Sequence, residues 1–396
     1  MVTRMTNPLT YLEEELQDLR ARGLFRWPRL LSGPQEPVAI YDGRQVINLC
    51  SNNYLNLANH PTLKAAARRA LEELGVGSGA VRTIAGNLAI HRELEEALAR
   101  FKHTEATLLF QSGFVANAGT VSAVLGKEDV IVSDELNHAS IIDGSRLSGA
   151  AKKIYPHRDV EAARALSDSR SSARRALLIT DGVFSMDGDI APLPDLLAAA
   201  EEFGAIMMVD DAHASGVLGR QGRGTLDHFN LHGRVHIQVG TLSKAFAGLG
   251  GYVAGSQVLA DYLIHRARPL LFSTSYPPSV AASALAAVRL VQEDEGVIAR
   301  LWENTRFFKE GLRRLGFDTG ASETPITPVI VGDEARAMAL SDRLFENGVF
   351  ALGIAFPTVP RGKARVRTIV TAGHTRAHLQ QALDVFERVG RELRLI

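Results

Sequence analysis

One lysine, Lys244, stands in the run Gly240-Thr-Leu-Ser-Lys-Ala-Phe-Ala-Gly-Leu-Gly-Gly-Tyr-Val-Ala-Gly255, which is otherwise small, hydroxylated or apolar and includes no carboxylate. Partial desolvation among such neighbours lowers the pKa of an amine and exposes a nucleophile of the kind that forms a Schiff base with a carbonyl. The same lysine could equally snorkel its head out of a loop beside a strand. Its chemistry therefore depends on what the rest of the chain brings to it.

Four other polar groups follow short apolar segments. In Gln111-Ser-Gly-Phe-Val-Ala-Asn117, Ser112 and Gly113 open a helix, where free N–H groups and a hydroxyl make a phosphate seat or, more simply, an N-cap. Asp134-Glu-Leu-Asn-His-Ala-Ser140 offers His138, suited to stacking on an aromatic ring, to proton transfer, or to plain surface hydrogen bonding. Asp181-Gly-Val-Phe-Ser-Met-Asp-Gly188 is a glycine-punctuated loop. Met207-Met-Val-Asp-Asp-Ala-His213 delivers Asp210 at the end of an apolar strand, where a carboxylate is costly unless a cation meets it. A pyridinium nitrogen would be such a cation. Asp210, Asp211 and His213 could instead begin a metal site, but no further ligand stands at a recognised spacing, so no metal is expected. A phosphate seat, a ring-stacking group, a pyridinium partner and a reactive amine together describe pyridoxal phosphate.

These groups need strand ends to hold them. Strands are expected at Ala106–Phe110, Val130–Val132, Lys153–Tyr155, Ala176–Thr180, Ala205–Val209, Val235–Val239 and Gly251–Ala254, with helical segments such as Gly113–Leu125, Ile141–Ser148 and Leu193–Phe203 between them. That alternation predicts an α/β fold around a mostly parallel sheet, with ligands at the carboxyl ends of its strands. Before it stand a helix over 9–23 and a hairpin turning at Asp42-Gly43. After Pro277-Pro278 come a long helical region from Val280 to Leu315, strands near Ile326–Val331, Val349–Leu352 and Val366–Ile369, and a last helix from Ala377. The expected division is 1–50 for the N-terminal helix and hairpin, 51–278 for the large domain and 279–396 for a smaller α+β domain. At 396 residues, more than one domain is expected. Forty-four basic and forty-four acidic residues cancel, which argues against nucleic-acid or membrane-surface binding. The N-terminus lacks the apolar core of a secretory signal, no run approaches a membrane span, and the single Cys50 suits a reducing compartment, so a cytoplasmic location is expected.

Asn137-His-Ala-Ser-Ile-Ile-Asp143, Asp181–Gly188, Val209-Asp-Asp-Ala-His213 with Gly222-Arg-Gly224, Gly240-Thr-Leu-Ser-Lys244, and Arg365-Val-Arg-Thr368 with Ala372-Gly-His-Thr375 resemble, in this order, motifs of the α-oxoamine synthases. The likeness runs from about Leu12 to the last helix. It implies the fold-type I aminotransferase-like architecture with a seven-stranded sheet, pyridoxal 5'-phosphate as cofactor, and a homodimer with active sites at the subunit interface. It implies further that a small amino acid and an acyl-CoA condense to an α-amino ketone with release of CoA. On matching positions, Lys244 resembles the lysine that carries the cofactor and Asp210 the pyridinium partner. His213 and Ser185 resemble the groups facing the phenolic oxygen, and His138 the stacked residue. Ser112, Gly113, Phe114 and Thr241 resemble phosphate contacts, with Ser273 or Thr274 supplied by the other subunit. Arg367 resembles the arginine that binds the amino-acid carboxylate, while Asn53 and Ser78 match substrate-side positions.

Within the family the motifs divide. Ala58-Asn-His-Pro61, Asn137–Gly144 with Arg146-Leu147, and Arg300-Leu-Trp-Glu-Asn304 are similar to glycine C-acetyltransferases. Gly77-Ser-Gly79, Ser112-Gly-Phe114, Phe272-Ser-Thr-Ser275, Val331-Gly-Asp333 and Pro357-Thr-Val-Pro360 are similar to 8-amino-7-oxononanoate synthases. The expected reaction is glycine with acetyl-CoA giving 2-amino-3-oxobutyrate. Alanine with pimeloyl-CoA, or a relaxed enzyme serving both, is the alternative.

Overall fold

The computed structural model describes residues 7–167 and 173–396, so residues 1–6 of the expected N-terminal segment lie outside it. The first helix, Tyr11–Ala21, buries none of its residues. Three short strands follow: β1 (Leu31–Ser32), β2 (Val38–Tyr41) and β3 (Arg44–Asn48). Asp42 and Gly43 turn β2 into β3 with φ of 49° and 76°, the left-handed pair that a two-residue hairpin requires.

The central sheet contains β4 (Ala106–Phe110), β5 (Val130–Asp134), β6 (Ala151–Tyr155), β7 (Ala176–Asp181), β8 (Ile206–Asp210), β9 (Ile237–Thr241) and β10 (Gly251–Gly255). Their order is β4-β10-β9-β8-β7-β5-β6. Only β10 runs against the rest, pairing antiparallel with both β4 and β9. The reason is chain length: residues 242–250 between β9 and β10 are too few for the crossover helix that a parallel return needs. The chain therefore doubles back over the carboxyl end of β9, and Lys244 sits in that turn. Gly251, as it re-enters the sheet, passes against the segment after β4, where a Cβ would lie 2.4 Å from the Ser112 carbonyl oxygen. Side chains of β4, β5, β7 and β9 are buried along their whole length, which explains why apolar residues occupy both faces of β4, β5 and β7 before polar ones appear at the carboxyl ends of β5 and β7.

The C-terminal part contributes β11 (Ile326–Gly332), β12 (Val349–Phe350), β13 (Leu352–Ile354) and β14 (Ala364–Ile369). The antiparallel sheet β11-β14-β13 is separate from β12, which pairs in parallel with β3 and completes the N-terminal hairpin. The expected single strand Val349–Leu352 is thus divided between two sheets at the buried Ala351. The helical region from Val280 is likewise two helices, Pro278–Glu293 and Glu295–Leu315, because the Asp294 carboxylate accepts the Gly296 N–H and caps the second. Among the described residues no helix is long and apolar enough to cross a membrane.

One buried ion pair ties the segment after β8 to the helix Ala89–Lys102. Lys102 Nζ lies 2.8 Å from Asp211 Oδ2, and both side chains are fully enclosed. Asp211 also accepts the Thr225 N–H, and Lys102 donates to the Arg223 carbonyl. Lys102→Met leaves the Asp211 charge buried without a cation, and chemical denaturation should show a loss of roughly 3–5 kcal/mol. A loss under about 1 kcal/mol would contradict this account of the pair.

Candidate active site

The carboxyl ends of β4, β5, β7, β8 and β9 surround a cavity of about 230 Å³. At the β4 end, Ser112 caps the helix Gly113–Val124, its hydroxyl accepting from Val115 N at 3.1 Å. Gly113 packs against Thr241, where a Cβ would come within 3.2 Å of the Thr241 Cβ. The free N–H groups of this helix start therefore face the cavity beside the Thr241 hydroxyl, a ready anion seat. Phe114 is exposed over the same end, edge-on to His138 with ring centroids 6.5 Å apart. Ser273 and Thr274 are exposed and do not line this chain's own cavity; their carbonyls accept from the Gln111 side-chain amide.

Asp210 ends β8 with only 4% of its surface exposed. Its carboxylate accepts from Asn117 Nδ2 at 2.6 Å and from Ala212 N at 2.8 Å, and no cation pairs with it among the described residues. Asp211 turns away to Lys102, and His213 turns to Tyr54, so these three residues do not converge on one ion. Tyr54 and His213 Nδ1 are 2.7 Å apart. Burial raises the Tyr54 pKa and lowers that of His213 well below the usual imidazole value, so the phenol keeps its proton and the imidazole is neutral. With Tyr54 as the donor of this bond, the His213 Nε2–H is left for the cavity.

Lys244 is half-buried and makes no hydrogen bond or ion pair among the described residues. Burial brings its pKa down to about 8, with Asp210 and Asp181 opposing and Arg367 assisting. Asp181 lies beside Asp210 in register on the neighbouring strand. Burial and the Asp210 charge push its carboxyl well above the usual carboxylate range, and it accepts the His138 N–H at 2.9 Å. Ser185 lies on the loop after β7 and lines the cavity. Arg367, on β14, reaches over from the C-terminal sheet; its guanidinium donates to the Ser185 carbonyl at 3.0 Å and to Asn52 Oδ1 at 3.3 Å. No carboxylate of the chain pairs with it among the described residues.

Asn53 and Ser78 are placed differently. The Asn53 side chain is buried and holds its own loop, accepting from Leu57 N and Ala58 N. Ser78 donates to the carbonyls of Ala80 and Ser275, joining the glycine-rich loop to the 273–275 segment. Sequence reasoning missed Tyr54, Asn117, Asp181 and Asn52 as individual residues. Each stood close to a signal: Asn52 and Tyr54 flank Asn53, Asn117 closes the stretch that begins at Gln111, and Asp181 opens the glycine-punctuated loop.

The site fits pyridoxal phosphate on its own geometry. A buried carboxylate without a cation, an anion seat at the other end, and an unpaired amine of lowered pKa match the ring nitrogen, phosphate and aldehyde in turn. Comparison with known proteins agrees. The family model for aminotransferase class I and II matches residues 44–386. The 8-amino-7-oxononanoate synthase of Symbiobacterium thermophilum is 61% identical over 98% of this chain and 99% of its own. The protein of that name from Thermoanaerobacter pseudethanolicus is 57% identical over 98% of each chain. Among solved structures, a serine palmitoyltransferase from S. paucimobilis with a bound PLP–myriocin aldimine superposes with a TM-score of 0.94 at 31% identity, covering 99% of this chain and all of the other. The expected glycine–acetyl-CoA reaction is thereby corrected: relatives at this identity and coverage carry the name 8-amino-7-oxononanoate synthase, the alternative reading.

Two outcomes follow from the state of Lys244. Lys244→Ala should bind the cofactor without the absorbance band of the lysine adduct, and an unchanged band would remove Lys244 from its role. In the cofactor-free protein only the neutral amine reacts, so the rate of cofactor uptake should rise with pH and level off above about 8. A rate still climbing towards the ordinary lysine value would show that the amine is not desolvated.

Proposed function

The chain belongs to the aminotransferase class I and II family and, within it, to the α-oxoamine synthases, and from that premise we propose that it is an 8-amino-7-oxononanoate synthase. It is a pyridoxal-phosphate-dependent acyltransferase. The proposed reaction joins the Cα of alanine to the carbonyl carbon of pimeloyl-CoA, with loss of the alanine carboxylate as CO2 and of CoA as the thiol, a step of biotin synthesis. The observation that carries this reading is the full-length likeness to synthases of that name. A second cavity, of about 550 Å³, supports it. It meets the first at His138 and Ser185 and is walled by Ile142, Phe184 and the segment Phe356-Pro-Thr-Val-Pro360. Such a wall offers more apolar room than a two-carbon acetyl group requires and suits a long acyl chain.

When bound, pyridoxal phosphate supplies an aldehyde that condenses with amines and a protonated ring that takes up the electron pair freed at Cα. Asp210 keeps the ring nitrogen protonated. The helix start at Ser112–Gly113 and the Thr241 hydroxyl hold the phosphate, while His138 stacks on the ring and excludes water from one face. The His213 Nε2–H and the Ser185 hydroxyl reach the phenolic oxygen. Arg367, free of any acidic partner and steadied by Asn52 and the Ser185 carbonyl, presents its fork to the amino-acid carboxylate. Lys244, with its amine free, would take the Cα proton on Nζ and return it later.

We further infer a homodimer. The first helix presents Leu12, Leu16 and Leu19 to solvent, and Trp27, Val76, Ile84 and Phe272 are more exposed still. Apolar surface of that extent calls for a partner, and a second copy could bring Ser273 or Thr274 to the phosphate seat.

An amino-acid by acyl-CoA matrix, read as release of free CoA, tests the reaction. Alanine with pimeloyl-CoA should exceed glycine with acetyl-CoA by at least about tenfold in kcat/KM, and the reverse order would overturn the assignment. Arg367→Ala should raise the KM for alanine about a hundredfold while leaving bound-cofactor absorbance intact.

A further inference from the structure

The residues behind the cavity wall form a continuous chain of hydrogen bonds. Asn117, on the helix Gly113–Val124, directs its Nδ2 both to Asp210 Oδ2 at 2.6 Å and to Ser140 Oγ at 2.9 Å. Ser140 Oγ is in turn 2.7 Å from His138 Nδ1, and the Ser140 N–H donates to the same nitrogen at 3.2 Å. The directions follow from the chemistry of each group. An ionised carboxylate only accepts, so the Asn117 amide must turn its nitrogen towards Asp210. The two hydrogens on that nitrogen are then committed, one to Asp210 and one to Ser140. Ser140 Oγ, accepting from Asn117, has its own hydrogen free to donate to His138 Nδ1. Nδ1 accepts from both the hydroxyl and the backbone of Ser140 and cannot carry a proton. A neutral His138 must therefore carry its hydrogen on Nε2, which has no partner among the described residues and is left to the two cavities it borders.

Asn117 and Ser140 are both wholly enclosed; Ser140 borders the cofactor cavity and Asn117 stands behind it. The Asn117 Oδ1 atom is buried without a partner, a cost that only the strong bond from Nδ2 to a charged acceptor offsets. The amide is thus held in this orientation by the Asp210 charge. The groups around His138 agree with a neutral ring: Asp181 takes its backbone N–H, Asp210 and Lys244 lie on opposite sides of the charge balance, and burial lowers its pKa. His213, also neutral, stands across the cavity.

We propose that Asn117 and Ser140 are positioning residues that transmit the negative charge of Asp210 to His138, fixing the imidazole as the Nε2–H tautomer at the junction of the cofactor and acyl cavities. Asp210 and His138 then act on opposite sides of the cofactor as one coupled unit. Loss of either relay residue removes or loosens the 2.7 Å hydroxyl bond and leaves Nδ1 only the longer one, 3.2 Å, from the backbone N–H of residue 140, so both tautomers become populated and the ring charges more readily. The first half of this proposal concerns the protein alone. Only its catalytic consequence rests on the reading of the site as a pyridoxal-phosphate centre.

The test uses Ser140→Ala, Asn117→Ala and the hydroxyl-retaining Ser140→Thr, each confirmed as folded by its melting curve. Nitrogen-15 chemical shifts of labelled imidazoles, with His138 assigned by its absence in His138→Gln, report the tautomer in the cofactor-free protein. The wild type and Ser140→Thr should show a protonated Nε2 and a bare Nδ1, while Ser140→Ala and Asn117→Ala should show averaged shifts and a raised midpoint of titration. In the loaded enzyme, Ser140→Ala should lower kcat about tenfold with little change in the KM for alanine, and should move the acidic limb of the pH profile upward. Wild-type tautomer signals in both alanine variants would overturn the relay. A change in Ser140→Ala alone would overturn the link to Asp210. Correct tautomers in the relay variants with no catalysis in any protein would instead indict the reading of the site.

Discussion

The carboxylate of Asp210 is the constraint on which the site depends. It is buried at the end of a strand with side-chain amide and backbone donors but no cation. Hydrogen bonds from neutral groups offset part of the desolvation of such a charge and leave the rest to whatever ligand arrives. A pyridinium nitrogen completes it and is itself kept protonated. The same charge opposes the effect of burial on Lys244, so the amine is brought down to about 8 and no further. Together with burial it also raises the pKa of Asp181 on the adjoining strand. One charge therefore sets the state of the groups around it.

Geometry delivers the other members to that charge. Parallel strands β5, β7, β8 and β9 end on the same edge, so a residue just past each end needs no long reach. The short return from β9 to β10 holds Lys244 directly over its strand. Two contributions come from outside the sheet: Tyr54 and Asn52 from the loop after β3, and Arg367 from β14. These are not independent arrivals. The Ile369 N–H donates to the Leu49 carbonyl and the Ala372 N–H to the Tyr54 carbonyl, so the loop and the C-terminal sheet are fastened to one another before either meets the cofactor cavity. Arg367 is aimed by the same contacts that place Tyr54 behind His213.

This arrangement explains what could be read from the chain. Asp210 closes an apolar run, and His138 and Lys244 stand a few residues beyond one; a buried parallel strand is legible as such a run, so polar residues after it stand out. Most strands of the central sheet were visible for the same reason, the exposed edge strand β6 excepted. Asn117 was not, because an amide among Ala, Gly and Val on a helix looks like any helical position until a strand from elsewhere brings a carboxylate against it. Tyr54 was hidden in a polar loop whose partner lies far along the sequence. Asp294 resembles one more polar residue in an amphipathic helix and is instead the cap at which one helix stops and another starts. Ala351 lies inside an apolar stretch that reads as one strand, yet the chain changes sheets there. Single residues that act through non-local contacts leave no periodic trace.

The division of motifs between two subfamilies has a structural resolution. Of the stretches similar to glycine C-acetyltransferases, Arg300–Asn304 lies on the helix Glu295–Leu315, where Trp302 donates to the Val217 carbonyl and Asn304 to those of Thr371 and His374. Arg146 forms an exposed pair with Asp143. Neither lines the cofactor cavity or the one beside it. Of the opposing set, Ser112–Phe114 lines the cofactor cavity and Pro357–Pro360 walls the second one. The separation is incomplete, since Asn137–Gly144 places Asn137, His138, Ala139, Ser140 and Ile142 on the two cavities, and Val331–Asp333 is only a strand end and a helix cap. Even so, an acyl group is selected by the atoms it meets. A motif on a remote helix records how that helix is fastened, which two subfamilies can share while handling different thioesters. Counted equally, the motifs favour neither substrate; weighted by contact with the cavities, they favour the longer one.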